Sequence, residues 1–206
     1  MTDPAGWQAR SPLAGEKTWS TVEDAGRRGV AISETVPGRV LGVTAYAGAR
    51  DAVRAGFRAA AGVDAPDVPR RVAEGTRSVV WSGPSQWLVI DDAGSGDLAG
   101  GITAALEGIA AVTDQTAARV FLRLGGADVR RALAKVVGVD LHPQVFGVGH
   151  VAMTDLAHMA VHLWRLPDMS GEAVFEIAGA RSTAGSLWHA LLAAAAEYGV
   201  EASPSS

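Results

Sequence analysis

Apolar residues in the first half of the chain follow a strand pattern and then a helical pattern. Residues 40–46 alternate in hydrophobicity and are rich in β-branched side chains, which is typical of a strand. In the segment that begins at 49–57, Val53, Phe57 and Ala60 fall on one face at helical spacing. The sequence therefore predicts a strand followed by an amphipathic helix.

The same order recurs about eighty positions further along the chain. Residues 120–124 form an apolar stretch that runs into a Gly-Gly turn, and a second helical segment follows. Its Val129, Leu133 and Val136 stand at positions i, i+4 and i+7, and Gly138 ends it. The two strand–helix units predict an internal repeat.

A further strand and helix follow each of these units. They are a strand over 79–90 and a helix over 98–106 in the first half, and a strand over 173–177 and a helix over 183–198 in the second. Additional strands fit 30–36 and 112–116, and a hairpin fits 151–166. We therefore predict an α/β (α+β) fold of two side-by-side split-βαβ, ferredoxin-like halves.

The two halves are expected to form one body, because no Pro/Ser-rich linker separates them. In chain order, the predicted segments are an irregular N-terminal arm at 1–28, a globular body at 29–200 with halves at 29–110 and 111–200, and a disordered tail at 201–206. The arm carries Trp7 and Trp19 without a sustained period. These two tryptophans either pack on their own domain or meet a partner.

Composition excludes several classes of protein. The chain has 206 residues, 48% of them hydrophobic, which is enough to form a core and too apolar for disorder. It has no cysteine, so disulfide frameworks, thiolate metal sites and cysteine nucleophiles are excluded. The longest strongly apolar stretch, 190–196, is far shorter than the roughly 20 residues of a membrane span.

Charge and the N-terminal residues bear on location and partners. The net charge is −4, so no bulk attraction to nucleic acid or to anionic membranes is expected. Asp3 stands where a signal peptide needs a positive charge, and no apolar segment follows it. We therefore expect a cytoplasmic protein that binds neither nucleic acid nor membrane.

Residues 94–99 match the dinucleotide-binding pattern G-x-G-x-x-G/A between a strand and a helix, with Asp114 about twenty positions further on. The carboxylates of Asp91, Asp92 and Asp97 would repel a pyrophosphate at this place. We interpret the stretch as a loop that enters a helix, with cofactor binding as the minor alternative.

Three histidines are the other candidate for chemistry. His150, His158 and His162 have spacings of eight and four residues, which on a helix would place them on one face. The alternation of 151–166 predicts a hairpin instead, on which positions i and i+4 lie about 13 Å apart. Only Asp155 is a nearby carboxylate, and hydrolase and P-loop motifs are missing. We expect no catalytic, cofactor-binding or metal-binding residue in this chain.

Three stretches form an ordered set of motifs. They are Trp81-Ser82-Gly83-Pro84-Ser85-Gln86-Trp87-Leu88, then Val112-Thr113-Asp114-Gln115-Thr116 with Arg119-Val120, then Val139-Asp140-Leu141-His142-Pro143 with Phe146-Gly147-Val148-Gly149 and Thr154. They resemble the "W-x-G-P-x-x-W-L", "V-x-D-x-S" and "D-L-H-P…F-x-x-G…T" blocks of the gamma subunit of heterotetrameric sarcosine oxidase. Ser11-Pro12-Leu13 near the start and Arg181-Ser182 to Leu187-Trp188 near the end fit the same pattern. The resemblance covers nearly the whole chain. One difference is Thr116, which stands where the family usually has serine and which keeps the hydroxyl group.

The resemblance implies a fold and a role. The family's fold is related to the folate-binding domain of glycine-cleavage aminomethyltransferases, in agreement with the two halves predicted above. Its complex of alpha, beta, gamma and delta subunits oxidatively demethylates sarcosine to glycine. Hydrogen peroxide is formed, together with formaldehyde or 5,10-methylenetetrahydrofolate. The gamma subunit would be a non-catalytic part of this oxidoreductase that supports the alpha subunit.

The same resemblance places every cofactor outside this chain. FAD, FMN and NAD would lie in the alpha and beta subunits, tetrahydrofolate would be used by the complex, and zinc would lie in the delta subunit. The alternative is a stand-alone folate-dependent C1-transfer or folate-binding protein, and a free-standing binding module is a third possibility.

A partner surface is the remaining expectation, and its candidate residues are Asp140, Leu141, His142, Pro143, Phe146, Trp7 and Trp19. The segment 140–146 holds apolar side chains without a helical or strand period, so it either fills a corner of its own domain or meets a partner. We expect a mixed role, in which this loop touches the alpha subunit.

Overall fold

A computed structural model describes residues 10–94 and 96–205. These residues form two compact units, each with one β-sheet. Unit 1 holds the described residues up to Val36, Ala117–Gly147 and those from Thr154 onward, and unit 2 holds Pro37–Thr116 and Val148–Met153.

The elements follow one another in the order that the two predicted repeats require. The strands are β1 (Trp19–Ser20), β2 (Val30–Thr35), β3 (Arg39–Ala45), β4 (Arg71–Glu74), β5 (Arg77–Gly83), β6 (Gln86–Asp91), β7 (Ala110–Asp114), β8 (Arg119–Gly125), β9 (Val151–Leu156), β10 (Met159–Met169), β11 (Glu172–Ala180) and β12 (Val200–Ser203). The helices are α1 (Val22–Ala25), α2 (Arg50–Ala61), α3 (Leu98–Ala105), α4 (Val129–Leu133) and α5 (Ala184–Ala195), with 3₁₀ turns at Arg181–Thr183 and Ala196–Tyr198.

Unit 2 is a split-βαβ unit on a five-stranded sheet. The strand order is β4-β5-β6-β3-β7, and every neighbouring pair is antiparallel. Without the edge strand β4, the chain order β3–α2–β5–β6–α3–β7 gives the ferredoxin-like arrangement, with β3 and β6 in the centre. The structure confirms the predicted fold of the first repeat.

The core of unit 2 forms under the amphipathic helix α2. Val53, Phe57 and Ala61 are buried, and the Phe57 ring meets Trp87 edge to face with centroids 5.6 Å apart. The Trp87 Nε1 donates a hydrogen bond of 2.8 Å to the Pro66 carbonyl, which satisfies its one polar atom inside the core. The predicted helical face is therefore the buried one.

Unit 1 repeats the same plan with one insertion. Its sheet has the order β1-β12-β2-β8-β11-β10-β9, and β8–α4–β10–β11–α5–β12 is the second ferredoxin-like series. Strand β2 lies between β8 and β12, antiparallel to the first and parallel to the second. Leu187, Trp188 and Leu191 of α5 are buried.

Strand partners differ from the predicted halves 29–110 and 111–200. Strand β2 joins the sheet of unit 1, where Ile32 lies opposite Leu124, and β7 completes the sheet of unit 2, where Thr113 lies opposite Gly42. Each strand thus pairs with the repeat that the sequence boundary had separated from it. The reason is that backbone pairing across a sheet is non-local and leaves no mark at a chain boundary.

The two segments that flank the predicted body, the arm and the tail, are also more regular than expected. Instead of a disordered tail at 201–206, Val200–Ser203 is strand β12, because a parallel neighbour, β2, takes its backbone hydrogen bonds. The arm at 1–28 contains β1 and α1, and Thr21 Oγ1 holds it by donating 2.8 Å to the Ala196 carbonyl. Among the described residues, no helix is both long and apolar enough to cross a membrane.

Candidate partner interface

The predicted interface segment 140–146 is a tight turn after α4. The His142 backbone N–H donates 2.9 Å to Asp140 Oδ1, and the His142 carbonyl accepts from the N–H groups of Val145 and Phe146 at 2.9 and 2.8 Å. An aspartate that bonds to the backbone two residues on is a standard turn former, and Pro143 fits the same turn. The D-L-H-P motif is therefore explained first by local backbone geometry.

Inside this turn, Phe146 and Leu141 point into unit 1. Both side chains are buried, and the Phe146 ring stacks on Phe175 of β11. The guanidinium groups of Arg130 and Arg165 lie over the same Phe175 ring, 5.6 and 5.2 Å from its centroid. Arg130 Nε also donates 3.0 Å to the Leu141 carbonyl, so these contacts fasten the turn to the sheet.

The remaining side chains of the segment form its outer surface. Asp140, His142 and Pro143 are exposed, and so is Val145, whose exposed fraction is 52%. The predicted set therefore divides into a buried pair, Leu141 and Phe146, and an exposed rim. Val145, an apolar side chain of the same segment, lies at this outer surface, because a turn has no period that separates inner from outer positions.

Of the two predicted arm tryptophans, Trp7 lies outside the described residues. Trp19 belongs to β1, where it pairs with Ala202 of β12, and its exposed fraction is 52%. A large aromatic side chain on a strand at the surface has few rotatable bonds, so binding costs it little conformational entropy. Such a residue suits an interface anchor.

An apolar cleft lies beside this tryptophan. It has a volume of about 490 Å³, and its lining comprises Gly15, Glu16, Lys17, Trp19, Trp188, His189, Leu192, Ala193 and Ala196. We call it the Trp19 cleft. One wall is the arm and the other is α5, and His189 Nε2 lies 3.3 Å from Glu16 Oε2 across its rim. An apolar floor with a charged rim is the composition of a protein–protein contact.

A buried ionic cluster in unit 1 was not anticipated from the sequence. Glu176 of β11 is 6% exposed, and its carboxylate accepts from Arg123 Nη2 at 2.8 Å, Trp164 Nε1 at 3.1 Å and Thr35 Oγ1 at 3.2 Å. These donors stand on β8, β10 and β2, so one carboxylate ties four strands together. Its signal in the sequence is a single acidic residue within the otherwise apolar stretch 173–180.

Neither candidate for small-molecule chemistry gains support from its geometry. In the 94–99 loop, Asp97 caps α3, and its Oδ1 accepts 2.9 Å from the Gly100 N–H, which is the helix-entry role (Ser95 lies outside the described residues). His158 stands in the turn between β9 and β10, whereas His162 is buried in β10. Within residues 10–94 and 96–205, no three His, Asp or Glu side chains form a metal-binding group.

Comparison with known proteins identifies the family. The sequence model of the "Sarcosine oxidase, gamma subunit family" matches residues 46–197. This chain belongs to that family. The match includes all three motif blocks and the second predicted repeat, and it begins at the end of the opening strand of the first repeat, so the resemblance found in the sequence is confirmed.

Relatives within the gamma subunit family align over most of this chain. It is 41% identical over 134 residues to the sarcosine oxidase subunit gamma of Arthrobacter sp, which is 63% of this chain and 64% of that protein. It is 33% identical over 165 residues to the same subunit of Corynebacterium sp. (strain U-96), covering 78% of this chain and 79% of that one. The aligned segment thus spans slightly less than two thirds of the Arthrobacter relative.

Two solved structures share the fold. A chain of the heterotetrameric sarcosine oxidase from Corynebacterium sp. U-96, in complex with pyrrole 2-carboxylate, superposes with a TM-score of 0.77 and 29% identity, over 92% of this chain and 95% of that chain. The glycine cleavage system aminomethyltransferase T from Bartonella henselae gives a TM-score of 0.60 at 16% identity, over 97% of this chain and 54% of that chain. The predicted relation to the aminomethyltransferase fold is confirmed.

The family's motif blocks build structure in this member. In the first block, Trp81 lies opposite Trp87 across the β5–β6 hairpin, which replaces the single strand expected over 79–90. In the second, Thr116 Oγ1 accepts 2.9 Å from the Val40 N–H, a bond that the serine usual in the family could also make. The substitution therefore keeps the function of the hydroxyl group.

Proposed function

We propose that this chain is the gamma subunit of a cytoplasmic, four-subunit sarcosine oxidase and that it contributes to assembly rather than to catalysis. The complex would convert sarcosine, water and oxygen to glycine, formaldehyde and hydrogen peroxide. Oxygen takes the two electrons of the N-methyl group, and water supplies the oxygen atom of formaldehyde. With tetrahydrofolate present, the carbon would leave as 5,10-methylenetetrahydrofolate.

The observation that carries this proposal is the superposition on a chain of heterotetrameric sarcosine oxidase over 92% of this chain. The superposition also takes in 95% of that chain, so the likeness extends over nearly the whole of both chains. We assign the alpha subunit as the principal partner, with beta and delta completing the complex.

The cofactors FAD, FMN, NAD and zinc are assigned to the alpha, beta and delta subunits. Support comes from the hydrogen bonds that the aspartates of the 91–97 loop make within this chain. Asp97 caps α3 in the one loop with a dinucleotide-like sequence, and Asp91 Oδ1 there accepts 3.1 Å from the Ala93 N–H. Anionic side chains that close a loop on itself oppose a phosphate rather than hold one.

A stand-alone folate-dependent C1-transfer protein is the second hypothesis. Its basis is the aminomethyltransferase T likeness, which at 16% identity shows the fold alone. The family match favours the subunit.

The test is coexpression of the tagged chain with alpha, beta and delta subunits from the same genome. We expect a stoichiometric complex with sarcosine-dependent oxygen consumption, and an isolated chain that is colourless and inactive. Failure of the chain to join the other subunits would overturn the proposal. So would an isolated chain that keeps a flavin absorbance band through gel filtration or produces peroxide.

A further inference from the structure

A second cleft of unit 1 lies next to the Trp19 cleft and carries positive charge. Its volume is about 810 Å³, and the residues that bear on the argument are Arg10, Ser11, Gly15, Ala118, Arg181 and Ser182. We call it the arginine cleft. Gly15 of the arm lines both clefts, so the two lie side by side.

The two arginines of this cleft have no acidic partner among the described residues. The described ion pairs engage other basic side chains, for example Arg27 with Asp128 and Arg28 with Glu201, and none includes Arg10 or Arg181. In a chain of net charge −4, Arg10 and Arg181 therefore bring two positive charges to one cleft.

The cleft is held in shape by bonds that leave its charge available. Arg181 Nη2 donates to the Arg10 carbonyl, and the Arg181 N–H donates 2.9 Å to the Ala118 carbonyl. Ser11 Oγ is 2.7 and 2.6 Å from the two carboxylate oxygens of Glu34 and accepts 2.8 Å from the Leu13 N–H, which fixes the arm. Glu34 is thereby bound to the arm, and it forms no ion pair with either arginine of the cleft.

We propose that the arginine cleft receives acidic side chains of a partner subunit. Guanidinium groups bind carboxylates through paired N–H donors, and arginine is enriched at protein interfaces. The adjoining Trp19 cleft supplies the apolar contact, so one partner segment with an acidic residue beside an apolar one fits both. This inference rests on the proposed function, because it names the chemistry of the partner that a gamma subunit meets.

The test is a charge reversal at Arg10 in the coexpressed four-subunit complex. Only the backbone carbonyl of Arg10 takes part in a described hydrogen bond, so Arg10→Glu is expected to leave the melting temperature of the isolated chain unchanged. Arg181→Gln is the second variant, since it removes the other positive charge of the cleft and keeps a polar side chain. The matched control is Arg28→Glu, an exposed arginine of the same unit with its own partner, Glu201.

We expect Arg10→Glu to weaken association with the other subunits by about tenfold or more, because like charges that meet at an interface repel strongly. The affinity of both cleft variants should depend less on salt concentration than the affinity of the wild type does. Arg28→Glu should bind as the wild type does. Unchanged affinity and salt dependence in the cleft variants, with a wild-type chain that assembles, would overturn the inference and leave the proposed function standing. A second measurement is the melting temperature of each isolated chain with inorganic phosphate. If phosphate stabilises the wild type but not the cleft variants, and those variants assemble normally, the cleft serves a small anion and the inference is overturned. A wild-type chain that does not assemble would instead overturn the proposed function.

Discussion

Phe146 and Phe175 stack in unit 1 with ring centroids 6.3 Å apart and planes inclined by 23°. The Phe175 ring also receives the guanidinium groups of Arg130 and Arg165. The contact joins the turn of the D-L-H-P motif to the central part of the sheet. Phe146 is 5% exposed, so its side chain serves the core first, and the segment can meet a partner through its outer residues.

Replacing Phe146 by Ala should reduce the free energy of unfolding of the isolated chain by about 3–5 kcal/mol, because a buried aromatic ring leaves a cavity. Urea titration measures the change. Val145→Ala, in the same turn but 52% exposed, is the matched control and should stay within about 0.5 kcal/mol of the wild type. Equal stability of the two variants would refute the core assignment.

Replacing Glu176 by Ala should destabilise the chain by about 2–3 kcal/mol. That is less than the roughly 3–5 kcal/mol of a fully buried pair, because the Arg123 side chain is 35% exposed. The control is Glu201→Ala, which removes the exposed pair with Arg28 and should change stability by less than about 1 kcal/mol. Chemical denaturation of both variants is the measurement, and a Glu176 variant as stable as its control would show that the cluster contributes little.

His162 should make the stability of the chain fall in mild acid. Burial, followed by the positive charge of Arg119, lowers the pKa of His162 from 6.5 to about 4. Between these values the unfolded chain binds a proton that the folded chain excludes, so stability is full above about 6.5 and decreases as the pH falls towards about 4. The loss is on the order of 2–3 kcal/mol.

The measurement is the free energy of unfolding of wild type and His162→Gln across this pH range. We expect the slope to be shallower in the variant, because the glutamine does not titrate. A slope that is the same in the wild type and in His162→Gln would contradict the assignment.

Gly126 is required by its backbone. Its φ is +125°, and a Cβ built there would lie 2.3 Å from the Gly29 carbonyl oxygen. Gly126→Ala should therefore destabilise the chain by more than about 1 kcal/mol, through strain and a clash with backbone that cannot move aside. Gly101→Ala in α3, where the added methyl group meets nothing within 4 Å, should instead stabilise it by about 0.5–1 kcal/mol. Thermal melting of the two variants separates these opposite signs.

Trp19→Ala tests the apolar half of the proposed interface. The isolated chain should melt almost as the wild type does, because the side chain is half-exposed, whereas association with the other subunits should weaken by about 2 kcal/mol or more. Affinity measurement on the coexpressed complex decides this. A variant that assembles normally would remove Trp19 from the interface.

The sequence by itself determined the local elements and the repeat. The helical face of Val53 and Phe57 and the alternation in the hairpin at 151–166 are imprinted by burial on one side of an element, so residue spacing reveals them. The three motif blocks determined the family, because their order and spacing are a property of the chain alone.

Tertiary structure decided the pairing and the direction of side chains that have no period. Strands β2 and β7 exchange the repeats assigned to them, since hydrogen bonds between distant strands are chosen by the whole sheet. In the turn at 140–146, Phe146 is buried while Val145, its neighbour, is exposed. The Glu176 cluster likewise draws its donors from three other strands. Such choices depend on packing between parts of the chain that are far apart, so only the folded chain makes them.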